Sequence, residues 1–296
     1  MPTLRQVRGR IIGVRKTQKI TKAMKMVASA RLRRAQMAVL AARPYADGLR
    51  RLLADLARAG TTQAELFAAR EVRSVALVVV TSDRGLCGAF NTNLARAVMQ
   101  HAERTYPGWK EQGRLKVICI GRKGFDILSR RDFTIVERFI GLYADLTFGS
   151  AKRVASLLVG GYRRGEFDRV ELFYNRFQSV GRSVIAMDRY LPFSAEPAEP
   201  AVEAHGLRRD YIYEPSREGI LEALVPRYLD FVIWRVLLES NAAEQGARMT
   251  AMDNATENAS ELIDLLQLQY NKARQASITK ELLEVVGGAE ALKQAG

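Results

Sequence analysis

The chain has 296 residues, 48% of them apolar and 26% charged, with 46 Lys and Arg against 32 Asp and Glu and a formal net charge of +14. That length carries one or two domains and a sizeable core, and the sequence has no run of about eighteen apolar residues, which excludes a membrane-crossing helix. The opening Met-Pro-Thr-Leu-Arg-Gln lacks the apolar centre of a secretory signal, and Cys87 and Cys119 are too few for a disulfide scaffold and too far apart for a paired zinc-ligand motif, so a reducing interior compartment is expected.

The first predicted element is a long helix. From Leu4, the residues Val7, Ile11, Val14, Gln18, Thr21, Lys25, Ala28, Leu32, Ala35, Val39 and Ala42 recur at alternating steps of three and four, the pattern of a coiled-coil seam. No Asp or Glu precedes Asp47, whereas twelve bases from Arg5 to Arg43 do, so this one segment nearly accounts for the net charge. An Arg-rich, acid-free start also fits a mitochondrial transit peptide. Against that, the seam persists over about forty residues and has a counterpart at the far end of the chain.

Ser74 to Thr81 is a short β-branched run of the kind that forms a buried, parallel strand. A helix is expected from Thr92 to about Arg104, a strand at Leu115–Ile120, a short helix from Gly124 to Arg130, a strand at Thr134–Phe139 and a helix from Thr147 to Tyr162. Val170 to Phe177 and Arg182 to Arg189 then read as a hairpin. This alternation predicts an α/β sheet domain with an antiparallel pair at its end. The Ala/Glu/Pro-rich run 195–204 reads as a solvated linker.

Between Pro226 and Gly287 only Gly246 resists helix. A helix over that span is roughly 90 Å long at 1.5 Å per residue, too long to be covered by its own compact domain, and the N-terminal helix supplies a partner. The seam there is Met249, Met252, Thr256, Ala259, Ile263, Leu266, Tyr270, Ala273 and Ser277. From Glu214 onward thirteen acids face eight bases, with Asp253, Glu257, Glu261 and Asp264 close together, so the two ends are electrostatically complementary. Exposed ion pairs contribute only about 0 to 1 kcal/mol each, so the apolar seam sets the register and charge biases the choice of partner.

Candidate chemistry is sparse. The turn from Asp83 to Gly88 matches neither G-x-x-x-x-G-K-[ST] nor G-x-G-x-x-G, and it reads as a tight strand-to-helix turn before it reads as a phosphate loop. The same holds for Gly121-Arg122-Lys123-Gly124. Cys87 is a candidate nucleophile, yet neither His101 nor His205 is spaced as its base, and a small buried thiol is the commoner outcome. No carboxylate pair, His cluster or Ser/His/Asp arrangement points to catalysis by this chain.

Four segments carry a resemblance. Thr17-Gln18-Lys19-Ile20-Thr21-Lys22-Ala23-Met24-Lys25-Met26-Val27-Ala28, the stretch from Ser277 to Ala289, Ser82 to Asn91, and Ala247 to Ala259 resemble, in order, signatures of the gamma subunit of F-type ATP synthases, and the likeness spans essentially the whole chain. It implies an α/β fold class in which the N- and C-terminal helices form a long antiparallel coiled coil around a central Rossmann-like α/β domain. The expected division is a shaft of 1–60 and 208–296, an α/β foot of 70–194 and a linker of 195–207. The implied function is that of a non-catalytic central rotor shaft in a proton-translocating F-type ATP synthase, with no cofactor of its own. Implied partners are the alpha and beta subunits of the catalytic ring, the epsilon subunit and the membrane ring of c subunits. The resemblance places Lys22, Met24 and Lys25 against an acidic lever loop of the beta subunits. It assigns Arg248, Arg274, Gln275, Thr279 and Glu281 to a contact network with the ring. Without it, Met24 reads as seam packing and Lys22 and Lys25 as a solvated face.

The family's chloroplast branch carries an inserted segment with a regulatory cysteine pair, and 194–205 here holds no cysteine, so thiol switching is not expected. The cytoplasmic face of a bacterial cell membrane is the expected location. Two alternatives remain: a nucleic-acid-binding coiled coil, which the basic N-terminus favours and the acidic C-terminal helix opposes, and a nucleotide-using enzyme, which lacks its phosphate loop.

Overall fold

The computed structural model describes residues 3–58, 66, 70–193, 214 and 216–294; the expected linker at 195–207 lies outside the described residues. The chain divides into two compact units, one of residues 29–248 and one of residues 1–28 with 249–296.

The elements in chain order are α1 (Leu4–Arg58), β1 (Val75–Val80), α2 (Phe90–Thr105), β2 (Leu115–Ile120), α3 (Arg122–Leu128), β3 (Thr134–Phe139), α4 (Phe148–Arg163), β4 (Arg169–Ser179), β5 (Arg182–Leu191) and α5 (Arg217–Gln294). The expected strands and helices are all present. β2 and β3 have the expected limits, and the hairpin strands run longer than their apolar stretches.

The five strands of the unit 29–248 lie in the order β3-β2-β1-β4-β5. The first four are parallel, and β5 runs antiparallel to β4. β1 is central and all six of its residues are 0% exposed. Its Val-Ala-Leu-Val-Val-Val run is apolar throughout because both faces of the sheet are covered. Strand alternation divides those residues between two cores. Val75, Leu77 and Val79 pack with Leu94, Val98 and Ala102 of α2. Ala76, Val78 and Val80 pack with Ala151, Val154 and Leu158 of α4, and with Leu221, Val225, Leu229, Ile233 and Leu237 of α5.

The stripe on α5 explains where that helix starts. It begins at Arg217, with Pro226 inside it. An interior proline costs about 3 kcal/mol, whereas each fully buried Leu, Ile or Val contributes about 1.5–3 kcal/mol, so Leu221 and Val225 hold the turn before Pro226 helical. Gly246 also stays helical: a Cβ there would lie 3.8 Å from the Gly181 backbone nitrogen of the β4–β5 turn, so the position brings helix and hairpin backbones close. Gly121 is a harder requirement. It joins β2 to α3 at φ 92°, and a Cβ would sit 2.1 Å from the Thr81 carbonyl oxygen.

In the other unit the two chain ends pair antiparallel. Val7 and Ile11 pack with Leu266, beside Val14 and Tyr270. The Thr21 hydroxyl lies 2.7 Å from that of Thr256, and Lys25 Nζ donates to Asp253. Numbers rise along one helix as they fall along the other. All predicted seam positions, Leu4 to Ala42 and Met249 to Ser277, are buried or half-buried. Past Ser277 every described side chain to Ala289 is exposed, Leu282, Leu283, Val285 and Val286 included.

Candidate functional site

The site residues expected from the sequence fall into three places. Lys22, Met24 and Lys25 share one turn of α1, with Lys22 exposed and Met24 half-buried. Lys25 occupies a seam position, and its ammonium is held by Asp253 of α5, with 40% of the side chain still exposed. The basic face that remains open there is therefore Lys22, with Lys25 committed to the neighbouring helix. Along α5, Arg274, Gln275, Thr279 and Glu281 are all exposed. The Thr279 hydroxyl donates to the Gln275 carbonyl at 3.0 Å, and the Ser277 hydroxyl to Glu281 Oε1 at 3.5 Å. These four residues lie within two helical turns and are open to solvent.

Arg248 belongs to the unit 29–248 and has a different task. Its Nη1 donates to the Gly85 carbonyl and its Nη2 to Glu244 Oε1 at 2.7 Å, and only 12% of its side chain is exposed. It thus anchors the β1–α2 loop to α5. Burial pushes the Glu244 carboxyl up from its ordinary pKa, against the opposing hydrogen bond from Arg248. Glu244 was not singled out from the sequence. The i, i+4 spacing of Glu244 and Arg248 was its only signal.

The loop itself is filled by the chain's own groups. Ser82 N donates to Asn91 Oδ1 at 3.0 Å, and Asn91 Nδ2 donates to Ser82 Oγ at 2.8 Å and Cys87 Sγ at 3.2 Å. Asp83 Oδ1 accepts from the backbone N–H groups of Arg122 and Gly141, each at 3.1 Å. Gly124 N donates to Thr81 Oγ1 at 2.8 Å. The first amides of α3 are spent on Thr81, Ser82 and Asp83, so the start of α3, with Arg122-Lys123-Gly124, offers no amide cradle for phosphate.

Burial pushes the Cys87 thiol up from its ordinary pKa, and it pushes that of Cys119 to about 12, so both stay protonated and unreactive near neutrality. His101 lies elsewhere, with Nε2 2.8 Å from Glu171 Oε2, while the Tyr106 hydroxyl donates to Glu171 Oε1 at 2.6 Å. This trio, with Tyr106 and Glu171 buried and His101 half-buried, ties the end of α2 to β4. His205 lies outside the described residues. Among the described residues no group of His, Cys, Asp and Glu is placed to hold a metal, and no helix is long and apolar enough to cross a membrane.

A family model described as ATP synthase matches residues 3–292. The ATP synthase gamma chain of Chlorobium phaeobacteroides is 48% identical over 295 residues, 99% of this chain and 100% of the relative. That of Chlorobaculum parvum is 48% identical over 296 residues, with the same coverage. Among solved structures, a central-stalk chain of the Tetrahymena thermophila mitochondrial ATP synthase is 26% identical with a TM-score of 0.58, covering 80% of this chain and 99% of that one. A chain of the Euglena gracilis mitochondrial ATP synthase, at 22% identity and a TM-score of 0.71 over 98% of this chain and 94% of that one, has the same fold. Nothing found favours the nucleic-acid alternative. With a family model over nearly its whole length, full-length relatives at 48% identity, paired terminal helices and a five-stranded α/β unit, the chain belongs to the ATP synthase gamma chain family, the non-catalytic central-stalk subunit of F-type ATP synthases.

Proposed function

We infer that this chain turns as a central shaft inside a ring of alpha and beta subunits, at the cytoplasmic face of a bacterial membrane, with the epsilon subunit and a proton-driven c ring at its foot. The observation that carries this reading is the one-sided burial of the paired helices. Beyond the seam, Ile20, Met26, Leu262, Leu265 and Leu268 are exposed, as is the whole described stretch after Ser277. Apolar surface on that scale calls for a surrounding partner. The functional division we adopt is a shaft of 1–60 and 208–296, a foot of 70–194 and a linker of 195–207.

A shaft that is asymmetric in cross-section meets three like catalytic subunits in three different ways. Shaft angle and nucleotide affinity then share a coupling free energy, and the coupling is reciprocal: hydrolysis turns the shaft, and a driven shaft changes affinity. Taking a site from mostly open to mostly closed needs about 5.5 kcal/mol of differential interaction. A single exposed ion pair supplies about 0 to 1 kcal/mol, so the work is spread over an interface. We assign Lys22, Met24 and Lys25 to a beta-subunit lever loop, and Arg274, Gln275, Thr279 and Glu281 to a grip on the ring. Arg248 is assigned to the same network, acting through the loop it anchors.

Co-purification tests the assembly: the tagged chain is expected to bring alpha, beta and epsilon subunits with it. Met24→Lys tests the shaft. It adds a cation beside the acidic lever loop and strengthens a contact that must break at every step, so protons pumped per ATP fall while assembly survives. Pumping at the unmodified ratio in assembled Met24→Lys complexes rejects the assignment.

A further inference from the structure

The unit 29–248 contains an open cleft of about 910 Å³ between α1, the β1–α2 loop, the start of α3, the segment around Gly141 and α5. Arg31, Arg34, Arg84 and Arg122 line it, and all four are exposed. Among the described residues no carboxylate lies within ion-pair distance of any of them. Three other exposed guanidiniums of this unit are paired, Arg73 with Glu71, Arg164 with Glu166 and Arg176 with Asp188, whereas these four are gathered on one concave surface without such a partner. The two carboxylates at the cleft are already engaged, Asp83 by the Arg122 and Gly141 amides and Glu244 by Arg248. A concave surface with an excess of positive charge remains. Gln245 also lines it; the residue is 6% exposed, and its Oε1 meets no donor.

A buried amide oxygen without a donor and four unneutralised guanidiniums facing one cavity are independent signs of a missing ligand. Planar guanidiniums pair bidentately with phosphate oxygens. Four of them exceed what one orthophosphate can balance and suit a chain of linked phosphates. The volume lies within the roughly 300–1,000 Å³ of small-ligand sites. We propose that this cleft binds a phosphoanhydride chain, carried by pyrophosphate or by a nucleoside di- or triphosphate. The side chains hold the phosphates here, since the amides of Arg122, Lys123, Gly124 and Gly141 are already bonded within the chain. A nucleotide has, in addition, ribose hydroxyls and a base amino group as donors for Gln245.

Calorimetric titration of the full chain, free of magnesium and at low salt, with pyrophosphate, ADP and ATP as probes, tests the assignment. One saturable site with a Kd below about 1 mM is expected for at least one probe. Arg34→Gln or Arg122→Gln, both at exposed positions where the fold survives substitution, weaken it about tenfold. Arg104→Gln, in the last turn of α2 and away from the cleft, leaves it unchanged. Nucleotides bound more tightly than pyrophosphate identify a nucleotide as the source; equal or weaker nucleotide binding identifies the anhydride chain alone. No saturable binding of any probe, cleft variants that bind as well as the unmodified chain, or equal weakening by Arg104→Gln overturns the proposal.

Discussion

The two units bury apolar surface in opposite ways. In residues 29–248 the central strand is closed off on both faces, with α2 over one and α4 and α5 over the other. In residues 1–28 with 249–296 each helix buries a single stripe, while Ile12, Ile20, Val27, Leu265 and Leu268 are all close to half exposed or more. The first arrangement completes a core within one chain. The second leaves apolar surface of the kind that closes only against another molecule. Substitutions should therefore reduce stability in the α/β unit and reduce coupling in the paired helices.

The largest expected effect breaks the α/β unit at its tightest corner. Gly121→Ala drives a Cβ to 2.1 Å from the Thr81 carbonyl oxygen at a positive φ, and it should lower stability by about 3 kcal/mol or more. Urea unfolding measures it, and a loss under about 1 kcal/mol contradicts the close approach. Ile263→Ala comes next. Ile263 is buried in a seam only two helices thick, so a loss of about 2 kcal/mol is expected, at the low end for buried large-to-Ala changes because a two-helix seam collapses easily around the gap. A cost equal to that of Gly121→Ala removes the contrast between the units.

Smaller effects sharpen it on the exposed side. Arg274 and Gln275 sit about one turn before Thr279, so their side chains can meet one loop of a surrounding ring. If they grip it together, the ATPase loss of assembled Arg274→Ala/Gln275→Ala complexes departs from the sum of the single losses by about 1 kcal/mol, roughly fivefold in rate. Additive losses return both to a solvated helix face. Lys25→Ala should cost the chain only about 0 to 1 kcal/mol, because the pair with Asp253 is open to solvent; a larger cost in low-salt unfolding makes Lys25 a structural residue of the seam. The smallest effect concerns Cys119. Its thiol is pushed to about 12 from an ordinary 9.0 by burial. The stability this gives is complete below the ordinary value and is lost as pH rises through the raised one. Near pH 8 the folded chain should leave Cys119 unlabelled by a thiol reagent, and rapid labelling there would show the strand open.

Much of the fold was legible because its elements repeat. A 3-4 spacing can be read over forty residues, and Leu4 to Ala42 and Met249 to Ser277 lie where that spacing places them. The candidate residues were less legible. Lys22 and Lys25 are three apart on one helix and look alike in sequence, yet Lys25 is bound by Asp253 while no described acceptor holds Lys22. Arg248 was expected to meet a ring and is also the anchor of Gly85 and Glu244.

The sequence by itself determined the helices, the strands and their polarity of burial, since each depends on residues a few positions apart. It also determined the charge imbalance between the chain's two ends. Only the tertiary structure decided what the stripe Leu221–Leu237 covers, which loop carbonyl Arg248 reaches, which carboxylate Lys25 meets, and which four arginines share a cleft without an ion-pair partner. Those outcomes depend on groups tens to hundreds of residues apart. Periodicity states that a face will be buried, and it carries no information about which distant surface buries it.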